Sequence, residues 1–172
     1  MKIIVTLHPD QLEQAAVAGA LRQASAFSNR RSQHKQVMFD DKPYWEESVL
    51  SAIAEYAVCL VYGFDFSGYV PHGISRLHDA GPLEVRTVRR QGYALMAYPK
   101  DVDHQQLVLT RVKENRVLLE GWATAGEIRQ WGYLVMDRWP GLQADDLHDM
   151  HSIGYTPVPS SQWREYRPRL DA

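Results

Sequence analysis

The residues of this chain best placed to do chemistry lie around a short turn, Asp79-Ala80-Gly81-Pro82-Leu83-Glu84-Val85-Arg86-Thr87. Asp79 precedes the Gly81-Pro82 turn, and the strand that follows carries Glu84 and Arg86 two residues apart. Side chains alternate across a strand, so Glu84 and Arg86 point to one face. Asp79, at the strand's start, can reach that face. Two carboxylates and a cation gathered at one strand end can hold a divalent metal beside a phosphodiester. Asp79 and Glu84 offer oxygen ligands to Mg²⁺ or Mn²⁺, the Val85 carbonyl offers another, and water fills the remaining positions. Such a metal acidifies a bound water and steadies charge developing on phosphorus. Arg86 would polarise the scissile phosphate or orient the water. A turn cap with a surface Glu84–Arg86 ion pair accounts for this motif equally well when it is taken alone.

A second placement adds weight to the chemical reading. Val49, Ile53, Ala57, Leu60 and Val61 mark the apolar face of a helix over about 46–62, and Ala52, Ala54 and Val58 make it apolar almost all round. Gly63 is a natural stop. The helix is expected to be buried, with Glu55 in its middle. A carboxylate there is costly unless it is paired, exposed or bound to a cation.

Other elements must position these groups. A short strand, Ile3 to Leu7, leads to a helix opened by Pro9-Asp10, with Leu12, Ala15, Ala16, Ala20, Ala24 and Phe27 at helical spacing. Gly19 weakens that pattern. Residues 28–44 read as a polar loop, and 64–80, with Gly68, Pro71 and Gly73, as an irregular connection. Strands follow at Leu83 to Val88 and Tyr93 to Tyr98, then a hairpin of Gln106 to Val112 and Arg116 to Trp122 around Lys113-Glu114-Asn115. Ala125 to Ile128 suggests a helical turn, and Trp131, Tyr133, Leu134 and Val135 are apolar enough to pack on the sheet. Helices followed by strands predict an α/β (α+β) class, either α+β or a mixed α/β sandwich.

The chain of 172 residues fits one domain, 1–172. Its expected parts are a helical part over about 1–63, a sheet core over about 64–136 and an irregular tail over about 137–172. A single cysteine, Cys59, in apolar surroundings reads as a buried thiol in a reducing compartment. No stretch approaches the ~18 apolar residues of a membrane helix. A cytoplasmic protein without membrane contact is therefore expected. Net charge is −2, which gives no global pull toward nucleic acid. Basic residues are nevertheless concentrated locally, and Arg30, Arg31, Arg89, Arg90 and Lys100 are the candidate phosphate contacts.

A helix with an internal Glu, an Asp before a turn and Glu-x-basic on a strand resemble, in that order, the PD-(D/E)xK (restriction-endonuclease-like) nuclease superfamily. More closely, the chain resembles short uncharacterised phage and prophage proteins with that core. The matching pieces are Leu7-His8-Pro9-Asp10-Gln11-Leu12, Ala54-Glu55-Tyr56-Ala57-Val58, Gly81 to Thr87, Leu107-Val108-Leu109-Thr110, Glu120-Gly121-Trp122 and Pro157 to Ser161. The resemblance implies a restriction-endonuclease-like core, a mixed central β-sheet flanked by helices, and metal-dependent hydrolysis of DNA phosphodiesters by a phage- or prophage-encoded enzyme. A homodimer is compatible with it. Carried over by position, Asp79 and Glu84 match the metal carboxylates, Glu55 the helix acid and Arg86 the catalytic lysine. That last match is a departure, because Arg is planar and always charged where Lys is a compact charge with an adjustable pKa. Lys100, at a neighbouring strand's end, is a candidate substitute.

Other motifs are weaker. His148 and His151, three apart, are a candidate zinc pair without a third ligand, and His72 and His78 sit in the connection before the motif. Trp131 and Trp139 are candidates for stacking on bases. No phosphate-cradling glycine loop and no nucleophile elbow is present. Two accounts therefore stand: a Mg²⁺-dependent deoxyribonuclease, or a catalytically inactive nuclease-fold protein that binds DNA or another protein. A third is an interaction protein with no nucleic-acid role.

Overall fold

The computed structural model describes residues 2–28, 44–66, 80–90 and 92–165. Among the described residues the chain is a mixed α+β protein with three helices and two sheets. In order it runs β1 (Ile3–Thr6), α1 (Pro9–Ser28), α2 (Tyr44–Tyr62), β2 (Glu84–Val88), β3 (Leu95–Met96), β4 (Gln106–Lys113), β5 (Arg116–Thr124), α3 (Ala125–Trp131), β6 (Tyr133–Val135) and β7 (Trp139–Leu142). Short 3₁₀ turns follow at Ala144–Asp146, Met150–Ser152 and Ser160–Gln162.

The larger sheet has the order β1-β5-β4-β2. β2 runs parallel to β4, while β1 and β4 are antiparallel to β5. The smaller sheet, β3-β7-β6, is antiparallel. Helices α1 and α2 cover one face of the larger sheet. Val85, Val108, Val117 and Leu119 point into the core they share with α2. The opposite face carries Leu107, Leu109 and Ala123, which pack with Leu95, Ile128 and Leu142 of the smaller sheet and α3.

The local chemistry explains these elements. Pro9 opens α1 where its missing N–H is harmless, and Gln11 Oε1 accepts the His8 N–H at 3.0 Å. Gly19, a weakness in the helical pattern, lies where α1 meets α2: a Cβ there would come within 2.6 Å of Ser48 O and Val49 Cα. Every residue of α2 from Ala52 to Tyr62 is buried, because the helix lies between α1 and the sheet. On β5, Glu120 is the extra residue of a bulge, since Leu109 pairs with Gly121 and Thr110 with Leu119. The bulge reverses the alternation, so Leu119 and Ala123 serve different cores.

Several expectations are corrected. The strand expected at Tyr93 to Tyr98 is only Leu95–Met96, and it belongs to the smaller sheet. Trp131, Tyr133 and Leu134 do not pack on the larger sheet; they are exposed, and β6 pairs with β7. The stretch after 137 is not simply an irregular wrapping. It contributes β7 to a sheet and Met150 and Ile153 to the core.

Candidate functional site

Strand β2 begins right after a tight turn. Ala80 and Leu83 exchange backbone hydrogen bonds of 3.0 and 2.9 Å, and Gly81 supplies the positive φ of 55° that the reversal needs. The parallel register sets Glu84 beside Leu107, Val85 beside Val108 and Arg86 beside Leu109. Leu107 and Leu109 face the second core and Val108 the first. Glu84 and Arg86 therefore share a face, as their spacing requires, and that face is opposite to the one covered by α2.

On that face the Arg86 guanidinium lies between two carboxylates. One nitrogen donates to Glu84 Oε1, and the other donates to Asp101 Oδ1 at 2.9 Å. The side chains of Glu84, Arg86 and Asp101 are only 9, 16 and 2% exposed. Lys100 Nζ stands 4.0 Å from Glu84 Oε1, its side chain 65% exposed. The guanidinium also lies over the Tyr98 ring, 5.0 Å from its centroid. Burial pulls the Arg86 pKa down, but the charges of Glu84 and Asp101 outweigh it and hold Arg86 above its ordinary value. Burial also raises the Tyr98 phenol, with Arg86 pulling it back and Asp101 and Glu47 adding to the rise. The Arg86 Nε is buried without a hydrogen-bond partner among the described residues.

Asp101 arrives through the turn at Tyr98 to Asp101. Its N–H donates to Tyr98 O at 3.0 Å, and its Oδ2 accepts the Tyr98 N–H at 2.8 Å. Arg129 of α3 fastens this turn by donating to Tyr98 O at 2.9 Å, to Asp101 O and to the Asp103 carboxylate. α3 is in turn held by a capping box in which Thr124 and Glu127 satisfy each other's backbone N–H groups. Asp101 was not among the candidates read from sequence, where Pro99-Lys100-Asp101 registered only as a strand breaker. The available signal was an Asp three residues after an aromatic, positioned to close an Asx-type turn.

Glu55 takes a different place from the one expected. It forms a two-nitrogen ion pair with Arg22 of α1, at 2.8 and 2.5 Å. Arg22 also lies over the Phe66 ring at 5.9 Å. Because α2 covers the Val85 face, Glu55 belongs to the helical layer while Glu84 and Arg86 project from the other side of the sheet. The cost of an acid in an apolar helix is offset by pairing with an arginine. No metal has to be invoked for it.

Asp79, Arg30, Arg31, His72 and His78 lie outside the described residues. Arg89 pairs with Glu46 at 3.2 Å, near the start of α2, and Arg90 is exposed. His148 is engaged by Glu127 Oε1 at 2.8 Å rather than by His151, whose N–H caps on Asp149. Trp139 meets Arg138 and the edge of Tyr98, whereas Trp131 stands free at 70% exposure. Among the described residues no three His, Cys, Asp or Glu side chains are gathered as a metal site. Nor is any described helix long and apolar enough to cross a membrane. No family model, curated protein or solved structure matches the chain.

Proposed function

We propose that the chain is a metal-dependent nuclease that hydrolyses DNA phosphodiester bonds at the β2 edge. The observation that carries this reading is the gathering of Glu84, Arg86 and Asp101 on one strand face, with the exposed Lys100 beside them. The donor set suits a hard cation in kind. Glu84 and Asp101 offer carboxylate oxygens, Asp79 lies a few residues before Glu84 in sequence, and Mg²⁺ keeps enough water to need only one or two carboxylates. A bound Mg²⁺ or Mn²⁺ would supply an acidified water and neutralise charge on the phosphate. The protein's own groups do the rest. Arg86, permanently charged, offsets charge in the transition state but accepts no proton. Lys100 brings a mobile point charge to the backbone of the substrate. Arg89 and Arg90 continue the basic edge, and the weak surface pair of Arg89 with Glu46 can yield to a phosphate.

The finer fold assignment belongs to this proposal as well: a restriction-endonuclease-like core reduced to a mixed sheet, with the motif on its edge strand. So do DNA as partner, a homodimer and a phage or prophage source. The test is cleavage of plasmid and branched DNA with Mg²⁺ or Mn²⁺ by wild type and by Glu84→Ala, both checked for folding by circular dichroism. Wild type should cut and Glu84→Ala should not. Equal cutting by both, or none by either across metals, rejects the catalytic role.

One observation favours a second reading, a nuclease-type fold that binds DNA or a protein without cutting. Arg86 already occupies the space between Glu84 and Asp101 and offsets one of their two charges. A DNA gel shift that persists in EDTA, without cleavage, would select it.

A further inference from the structure

A cleft of about 380 Å³ opens far along the chain from the β2 motif, lined by Ala123, Glu127, Trp131, Leu142, Asp146 and His148. Its size falls at the low end of small-ligand sites, which run from about 300 Å³ upward. Glu127 and Trp131 are one helical turn apart on α3, so both stand on one side of that helix. Ala123 and Leu142 belong to the second core and form an apolar floor. Asp146 projects from the 3₁₀ turn Ala144–Asp146, and among the described residues it makes no ion pair.

The two carboxylates are differently prepared. Glu127 is held rigidly: Oε2 accepts the Thr124 N–H and Oγ–H at 2.8 Å each, and Oε1 meets His148 Nε2 at 2.8 Å. Burial pushes the Glu127 carboxyl up, but hydrogen bonds from Thr124 and His148 outweigh it and hold it below the usual carboxylate range. His148 is steadied on its other side by the Trp122 ring, 4.8 Å between centroids. Asp146 is exposed and uncommitted, and none of the six lining residues is Lys or Arg.

Elsewhere in this molecule aromatic rings of this kind carry a guanidinium. Arg22 lies over Phe66, Arg86 over Tyr98 and Arg138 over Trp139. Trp131, the most exposed large apolar residue among the described residues at 70%, lines a cleft whose one basic group, His148, is already engaged by Glu127, which leaves Asp146 without a cation. An indole face beside an uncommitted carboxylate is the arrangement that attracts an organic cation with an apolar stem. Phosphate-bearing ligands are disfavoured in the same place by Glu127 and Asp146.

We propose that this cleft binds a guanidinium or alkylammonium group, its charge meeting Asp146 and its stem resting on Trp131 and Leu142. The group can belong to a free small cation or to an Arg or Lys side chain of a protein. The apolar residues next along the chain, Tyr133, Leu134 and Met136, are exposed and flank the second source.

Arginine amide, and citrulline amide as its neutral isostere, are titrated against the full chain while the indole N–H resonances are followed by NMR. The Trp131 signal, one of five, is assigned with Trp131→Phe. Arginine amide should shift it saturably and citrulline amide should not. Asp146→Asn, a surface change, should weaken binding by about three- to fivefold, the worth of one exposed charge pair. A capped peptide with one Arg between leucines tells the sources apart. Tighter binding than arginine amide, lost in Leu134→Ser, assigns the protein side chain, and equal binding assigns the free cation. Equal shifts with citrulline amide overturn the proposal. So does unchanged affinity in both Asp146→Asn and Trp131→Ala.

Discussion

Replacing Arg86 with Met keeps much of its volume and removes the charge between Glu84 and Asp101. Both carboxylates are more than nine-tenths buried, and the guanidinium is their shared partner. Breaking a buried pair by removing one member costs about 3–5 kcal/mol, because an uncompensated charge stays behind. Here two carboxylates are left facing each other. For a chain of this length that loss lowers Tm by about 6–20 °C, at roughly 2–4 °C per kcal/mol. The penalty depends on pH, and its sign can be worked out. Without Arg86 two like charges oppose each other in a buried site, and only proton uptake relieves them. Protonation then stabilises the folded variant, so the deficit is largest near neutrality and shrinks as pH falls toward ~5. Urea unfolding followed by tryptophan fluorescence at both pH values measures this directly. Arg86→Lys keeps the charge but loses the two-pronged geometry, and should fall between Met and wild type. A deficit under about 1 kcal/mol for Arg86→Met, the level of an exposed pair, would refute the buried-triad account. A deficit equal at the two pH values would refute it as well.

Three further outcomes are expected. Glu55→Ala strands Arg22 and should cost about 3 kcal/mol or more in urea unfolding, whereas the double change Arg22→Met, Glu55→Leu should recover most of it, as apolar replacement of buried pairs often does. Glu127→Gln can keep the capping-box hydrogen bond but removes the charge that the helix N-terminus and His148 favour, a loss of about 0.3–1 kcal/mol. Because the folded pKa of Glu127 is depressed, its contribution is present above the unfolded value and lost as pH falls through the lower folded value, so wild type and variant should converge in stability below about pH 4. Tyr62, which donates to Met150 O at 3.0 Å, is raised by burial to about 12. Its contribution is complete below the unfolded value near ~10 and is lost as pH rises toward the folded one, so phenolate absorbance should show a late step that disappears in Tyr62→Phe.

The face shared by Glu84 and Arg86 was legible from the two-residue spacing alone, and the buried character of α2 from an apolar pattern on all sides. What the sequence could not display is who partners whom. Asp101 is 15 residues from Arg86 and Glu55 is 33 from Arg22. Each pairing depends on a packing of elements that local periodicity does not encode. The apolar pattern around Glu55 showed that it needs a partner but not that the partner is Arg22 of α1. Alternation over Tyr93 to Tyr98 signalled a strand but carried no information about which sheet it would join. The helical turn expected at Ala125 to Ile128 is real, and the Thr124-x-x-Glu127 pattern, a capping box, fixes its start.

The charge balance of the β2 cluster separates the two functional readings more sharply than its geometry does. Glu84 and Asp101 contribute two negative charges, and Arg86 and Lys100 two positive ones, so the described set is formally neutral. The buried trio of Glu84, Asp101 and Arg86 carries one net negative charge, which the exposed Lys100 offsets, so a divalent ion brought there gains only modest Coulomb energy against its dehydration, which Mg²⁺ resists strongly. Negative charge must come from elsewhere, and the phosphodiester of a bound DNA supplies it. A working nuclease of this kind should therefore bind metal weakly alone and more tightly with DNA, and linkage requires DNA to bind more tightly with metal by the same factor. Calorimetric titration with Ca²⁺, with and without a short duplex, reads that coupling directly. Mutual strengthening of about fivefold or more, at the lower end of typical coupling energies, fits catalysis at this edge. DNA affinity indifferent to metal leaves the Arg86 cluster as a neutral structural lock, and the chain as a binding protein.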